Sequence, residues 1–202
     1  MFGLDRPGAT AIFAVTIATS LIGLYSSPRL IEKSLFRPYW FLRGKQYDTI
    51  YMSGFVHADL GHLLANMFTF YFFAFNLEGF IGTIRFLALY SVGLVLSHAC
   101  TYFRHKNEPD YASLGASGAI SAVLFAYVMY FPTASLMILP FPVPIPAPLF
   151  AVAYVAFSWW AGERQLGRVN HHAHLCGALS GVAFVIVTDP AAVGRLIGYL
   201  GG

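Results

Sequence analysis

Ser117 stands in the segment Gly115-Ala116-Ser117-Gly118, in a chain that is otherwise strongly apolar. Flanking glycines let the backbone turn tightly and let another chain come close to the hydroxyl. A serine at a helix start also has unpaired backbone N–H groups beside it, which can stabilise an oxyanion. Nucleophilic attack is therefore within its reach, although alone an N-cap serine opening a helix is the simpler reading.

A second position supplies a base. His174 precedes Gly177 and Gly181 at offsets i, i+3 and i+7, so all three fall near one helix face. Gly177 and Gly181 make a small-residue seam that admits a neighbouring helix, and Gly118 with Ala122 makes a matching pair. If these seams meet, His174 can reach Ser117 and take its proton. An isolated histidine is more simply a packing residue bonded to a carbonyl.

His62 and Asn66, at i and i+4, share a helix face and can donate together toward a tetrahedral oxyanion. Mutual hydrogen bonding between helices is the equally simple alternative. His57 lies five residues before His62, off that face, and is read as structuring the approach to the helix. Glu78 is read as a loop-anchoring partner.

These residues must be positioned by membrane helices. The chain of 202 residues is 57% hydrophobic and 10% charged, with mean hydropathy +0.64, whereas soluble domains carry roughly a quarter charged residues. Six apolar segments are expected to span: Ala9 to Tyr25, Leu60 to Phe80, Ile84 to Phe103, Ser117 to Phe131, Ala147 to Ala161 and Ala173 to Thr188. No small-x-small cleavage site precedes Pro28, so the first run is read as a span rather than a signal peptide. No linker divides the chain, which is read as one domain, 1–202.

The fourth segment is short. About 15 residues rise about 22 Å, less than a hydrocarbon core of roughly 30 Å, so its start is expected below the membrane surface. The polar stretch Arg104 to Ser113 must then descend against protein or a water-filled cavity. Ser26 to Val56, with its aromatic and basic residues, suits a structured interfacial loop. Pro140, Pro142, Pro144, Pro146 and Pro148 are expected in an extended connector.

The twelve Lys/Arg residues give a net charge of +3 without a clustered basic face, which argues against nucleic acid. Cys100 and Cys176 both lie in apolar stretches and are expected as buried thiols. His171, His172 and His174 cluster, but without an H-E-x-x-H pattern; no metal or other cofactor is expected.

The combined pattern resembles the rhomboid family of intramembrane serine proteases. That family carries H-x4-H-x3-N on its second span, G-x-S-G opening its fourth and H-x-G/A-G-x3-G on its sixth. Here these read His57, His62, Asn66; Gly115, Ser117, Gly118; and His174, Gly177, Gly181. The resemblance implies an all-α polytopic membrane protein, a compact bundle of six transmembrane helices. It implies an endopeptidase that hydrolyses peptide bonds in or near the transmembrane helices of other proteins. Ser117 would be the nucleophile and His174 the base of a dyad. His62, Asn66 and the Ser117 N–H would hold the oxyanion, with Gly115, Gly118, His57, Gly177 and Gly181 in support.

The chain departs from the family pattern in three places. Gln46, Tyr47, Asp48 and Thr49 stand where a Trp-Arg pair is common; Ser121 replaces an aromatic one turn after the nucleophile; Cys176 replaces the first small residue after the histidine. The expected partners are transmembrane substrates and the lipid bilayer, and the expected location is a multi-pass position in the cell (inner) membrane of a prokaryote. Orientation stays open: the family topology leaves Arg6, Arg85 and Arg195 on the cytoplasmic side and the other nine basic residues opposite, against the positive-inside rule. The competing class is a transporter or a chaperone-like binder of membrane spans, but internal repeats with paired broken helices are not evident.

Overall fold

The computed structural model describes residues 5–138, 141–164 and 169–201. In chain order the described elements are helices α1 (Pro7–Tyr25), α2 (Pro28–Ser34), α3 (Pro38–Arg43), α4 (Thr49–Phe55), α5 (Leu60–Ile81), α6 (Thr83–His105) and α7 (Ser117–Tyr130). Strands β1 (Ser135–Ile138) and β2 (Phe141–Pro146) follow, then helices α8 (Ala147–Glu163), α9 (His171–Thr188) and α10 (Pro190–Gly201). All six expected segments are helical. Four of them, α1, α5, α6 and α9, are long and apolar enough to cross a membrane.

Helix α7 is apolar on every side, and every residue of it except Ser117 and Tyr127 is buried. A helix of that kind belongs at the centre of a bundle. It packs against α5, α6 and α9, with Phe70, Phe86, Leu89, Leu94, Ala122 and Val123 in the surrounding core. Its 14 residues rise only about 21 Å, so one end must stop short of a membrane surface.

Glu78 has a sharper role than the sequence suggested. Its buried carboxylate accepts from the Gly8 and Ala9 amides at 2.9 and 2.6 Å, and from Thr83 Oγ1 at 2.7 Å. Arg6 at the N-cap of α1 gives no side-chain cap, so Glu78 supplies the acceptor from another helix.

The first loop is structured, as expected, by α2, α3 and α4. It meets the polar stretch before α7 in a two-way backbone bridge, Phe36 N to Ser113 O and Ser113 N to Phe36 O, both 3.0 Å. The Gly115 amide donates to Ser53 O at 2.8 Å. The descending segment is thus paired with protein, which answers the backbone's need for partners at that depth.

Pro142, Pro144 and Pro146 are extended, as expected, in β2, which pairs antiparallel with β1. Two expectations are corrected. Pro148 lies in the first turn of α8, where a missing N–H leaves no helical bond unmade. Pro140 lies outside the described residues. Cys100 and Cys176 are not thiols but a disulfide joining α6 to α9. Each sits on the helix face turned toward the other, which apolar composition alone does not reveal.

Candidate active site

The α5 side of the site begins at Asp59, whose extended backbone and carboxylate cap the helix by accepting from the His62 amide at 2.7 Å. The Cε1 edge of the His62 ring abuts Gly115, leaving no space for a Cβ there. Gly115 has φ +119, a conformation that side chains rarely adopt, so both backbone shape and contact require glycine. His62 is thereby held two residues from Ser117.

Asn66 is buried one turn further along α5 and donates from Nδ2 to His57 Nε2 at 2.9 Å. His57 is fully buried; its Nδ1 meets Ser20 Oγ at 3.0 Å, and its ring meets that of His62 edge-on at 4.9 Å between centroids. Burial, reinforced by His62 and partly offset by Asp59, lowers the His57 pKa to about 3. The imidazole is neutral throughout the physiological range.

On the other side, α7 meets α9 without intervening side chains. A Cβ on Gly177 would collide with the Gly118 carbonyl, and one on Gly181 with the Ala122 carbonyl. A Cβ on Gly118 would come 3.5 Å from Ala173 O. The residues next to Ser117 therefore abut those flanking His174. Both Ser117 and His174 are partly accessible, and the titratable groups acting electrostatically on His174 are His171 and His62. The N-terminal turns of α5, α7 and α9, which carry His62, Ser117 and His174, therefore lie side by side.

Further contacts come from residues whose partners the sequence reading did not foresee. Ser121 donates to Ser117 O at 2.9 Å and pairs at 2.8 Å with the hydroxyl of Tyr154, an aromatic brought in by α8 rather than α7. Asn170 accepts from Ala173 N at 3.0 Å as the α9 N-cap, and its Nδ2 donates to Thr101 Oγ1 at 2.9 Å. Its polar atoms set the start of α9 and not the His174 ring. Tyr111 also reaches Asn170 and stacks on His105 at 3.6 Å, and burial pushes its phenol up to about 12. His98 joins Leu94 O and Ser53 Oγ at 2.8 and 2.7 Å, tying the first loop to α6. Of these, only Asp59, three residues before His62, and Asn170, three before Ala173, had a local signal, that of an N-cap.

Among the described residues no group of three His, Cys, Asp or Glu side chains could hold a metal ion. A cavity of about 340 Å³ opens in the first loop between Glu32, Arg37, Gln46 and Asp48 and includes none of the site residues above. The serine and histidine side chains described above lie elsewhere, around the start of α7.

Fold and site together describe a polytopic helical membrane protein with serine and histidine side chains gathered at a helix start inside the bundle. The Rhomboid domain model matches residues 44–190, and the chain belongs to the rhomboid family. It is 29% identical over 184 residues to Rhomboid protein 1, mitochondrial, of Saccharomyces cerevisiae, covering 86% of this chain and 51% of that protein. It is 35% identical over 136 residues to the Presenilin-associated rhomboid-like protein A, mitochondrial, of Danio rerio, and 32% to the human Presenilin-associated rhomboid-like protein, mitochondrial; each match covers 66% of this chain and 36% of the relative. The chain thus spans about half, or less, of the length of these relatives. The expected prokaryotic cell membrane is corrected by these matches, which are to mitochondrial proteins of eukaryotes.

Proposed function

We propose that this chain is an intramembrane serine endopeptidase in which Ser117 and His174 form the catalytic dyad. Membership of the rhomboid family supports protease-type activity. The observation that carries the residue assignment is the contact of Gly118 with Ala173 and Gly177, because it brings the start of α7 against the turn of α9 that holds His174.

In the proposed reaction Ser117 Oγ attacks the scissile carbonyl as His174 takes its proton. The carbonyl oxygen becomes an oxyanion facing His62, the Asn66 amide and the Ser117 N–H. The intermediate collapses, His174 returns the proton to the departing amine, and an acyl ester remains on Ser117. Water then attacks with His174 again as base, releasing the new carboxyl end and the free serine.

The substrates proposed are membrane proteins whose spans carry Gly, Pro or other poor helix formers near the cut, in a six-span enzyme within the bilayer. A helical peptide bond has its carbonyl hydrogen-bonded and its backbone shielded, so local unwinding must come first. The compartment proposed is a mitochondrial membrane, a reading supported by the names of the relatives; recovery of the native protein in another membrane fraction rejects that part.

The deciding experiment incubates the purified protein with a single-pass membrane substrate in detergent. Cleavage that Ser117→Ala abolishes is expected, and replacing the substrate's Gly and Pro by Leu should slow it. Binding without cleavage by the native chain refutes the enzyme reading in favour of a non-catalytic binder of spans.

A further inference from the structure

We propose that His57 is a positioning residue for the oxyanion site, holding the Asn66 amide with one N–H aimed at itself so that the other is kept for the reacting oxygen. This rests on the protease reading above. The donor directions follow from the chain of contacts. Asn66 Nδ2 has only hydrogens to offer, so His57 Nε2 at 2.9 Å must present its lone pair. The ring proton then sits on Nδ1 and is donated to Ser20 Oγ at 3.0 Å. The Ser20 hydroxyl in turn points to Phe55 O at 3.4 Å. Asn66 Nδ2, both His57 nitrogens and the Ser20 hydroxyl are thus linked in one consistent sense.

The same ring bears edge-on on His62, whose other side is closed by Gly115. One buried imidazole therefore touches both side-chain donors proposed for the oxyanion. An unsupported amide can rotate and present its carbonyl to the developing negative charge. Neutral, fully buried His57 with its proton on Nδ1 removes that freedom, because a lone pair on Nε2 is satisfied only by the N–H side of the amide. Ser20, His57 and Asn66 come from different places, the second half of α1, the turn before α5 and the body of α5.

The test is a double-variant cycle read separately in kcat and KM, with cleavage of a single-pass helical peptide in detergent and labelling of Ser117 by a fluorophosphonate probe as readouts. His57→Leu should lower kcat and the labelling rate by about tenfold or more while KM stays within about twofold, since an oxyanion contact strengthens only in the transition state. In an Asn66→Ala background, His57→Leu should add little further loss. His57→Gln, which offers a carbonyl oxygen near the place of Nε2, should restore most of the activity. Ser20→Ala gives a second route that leaves the ring in place, with a smaller loss in the native background and none beside Asn66→Ala.

Multiplying losses in the double variants, a loss carried by KM, or native kcat in both His57→Leu and Ser20→Ala overturns the inference. Failure of the unaltered protein to cleave or to label at Ser117 is a different outcome, and rejects the protease reading itself.

Discussion

Gly177 of α9 lies directly over the carbonyl of Gly118 of α7, with no room for even a methyl group between the two backbones. Everything proposed for Ser117 and His174 depends on that closeness, since a base works only within hydrogen-bond reach of its nucleophile.

Gly177→Ala and Gly181→Ala should therefore destabilise the protein by about 1–3 kcal/mol, the usual range for overpacking a tight interface. Gly194→Ala and Gly198→Ala make a matched control, because a Cβ at either meets nothing within 4 Å. In a helix interior that change is neutral or favourable by up to about 1 kcal/mol. Thermal melts in detergent that rank all four variants alike would show that the seam is not tight.

Ser117→Ala, His174→Ala and the double variant should retain similar residual rates, because a nucleophile and its base act as one unit. The base must also be neutral, so kcat/KM should fall about tenfold per pH unit once the solution is acid enough to protonate His174. Additive losses in the double variant would show that the two residues act independently.

Asn66→Ala should lower kcat on the order of a hundredfold or more, corresponding to about 2.7–4 kcal/mol for a lost oxyanion donor. His62→Ala should do the same, and less if the two donors substitute for each other. A rise in KM at unchanged kcat would assign either residue to substrate binding instead.

His57 also predicts a pH dependence of stability. Its folded pKa of about 3 lies below the ordinary value of 6.5, so between those values the unfolded chain binds more protons. Stability linked to His57 is then complete above about pH 6.5 and falls as the solution is acidified toward pH 3, by at most about 1.4 kcal/mol per pH unit. Other histidines add their own slopes, and the difference between native and His57→Gln melts isolates this one. Parallel curves for the two proteins from pH 7 to 4 would contradict a buried neutral imidazole.

The Cys100–Cys176 link leaves the described chain without a free cysteine. Unreduced, denatured protein should not react with maleimide, and reduction should expose both thiols. Because the bond ties α6 to α9 across 76 positions, reduction should also lower stability by about 2–4 kcal/mol. Ready labelling of both cysteines in the oxidised preparation would argue for separate thiols.

Much of this protein was readable along the chain. Helix α7 begins at Ser117, and α5 begins at Leu60 after Asp59, because caps, glycines and apolar runs act on their own neighbours. The expected first and sixth spans lie two residues inside the starts of α1 and α9 and share their ends. Periodicity also put His62 with Asn66, and His174 with Gly177 and Gly181, on common faces.

What the chain did not disclose are the meetings between distant segments. Nothing near His57 announces that Ser20 and Asn66 will take its two nitrogens, nothing near Ser121 announces Tyr154, and the apolar setting of Cys100 and Cys176 pointed away from the bond they make. Hydropathy and helix period establish that a segment is helical and which residues share a face, because those forces act within a few residues. Which face meets which, and which buried polar atom finds which partner, was decided only when the helices packed, since excluded volume and hydrogen-bond satisfaction in a dry interior are properties of the whole bundle.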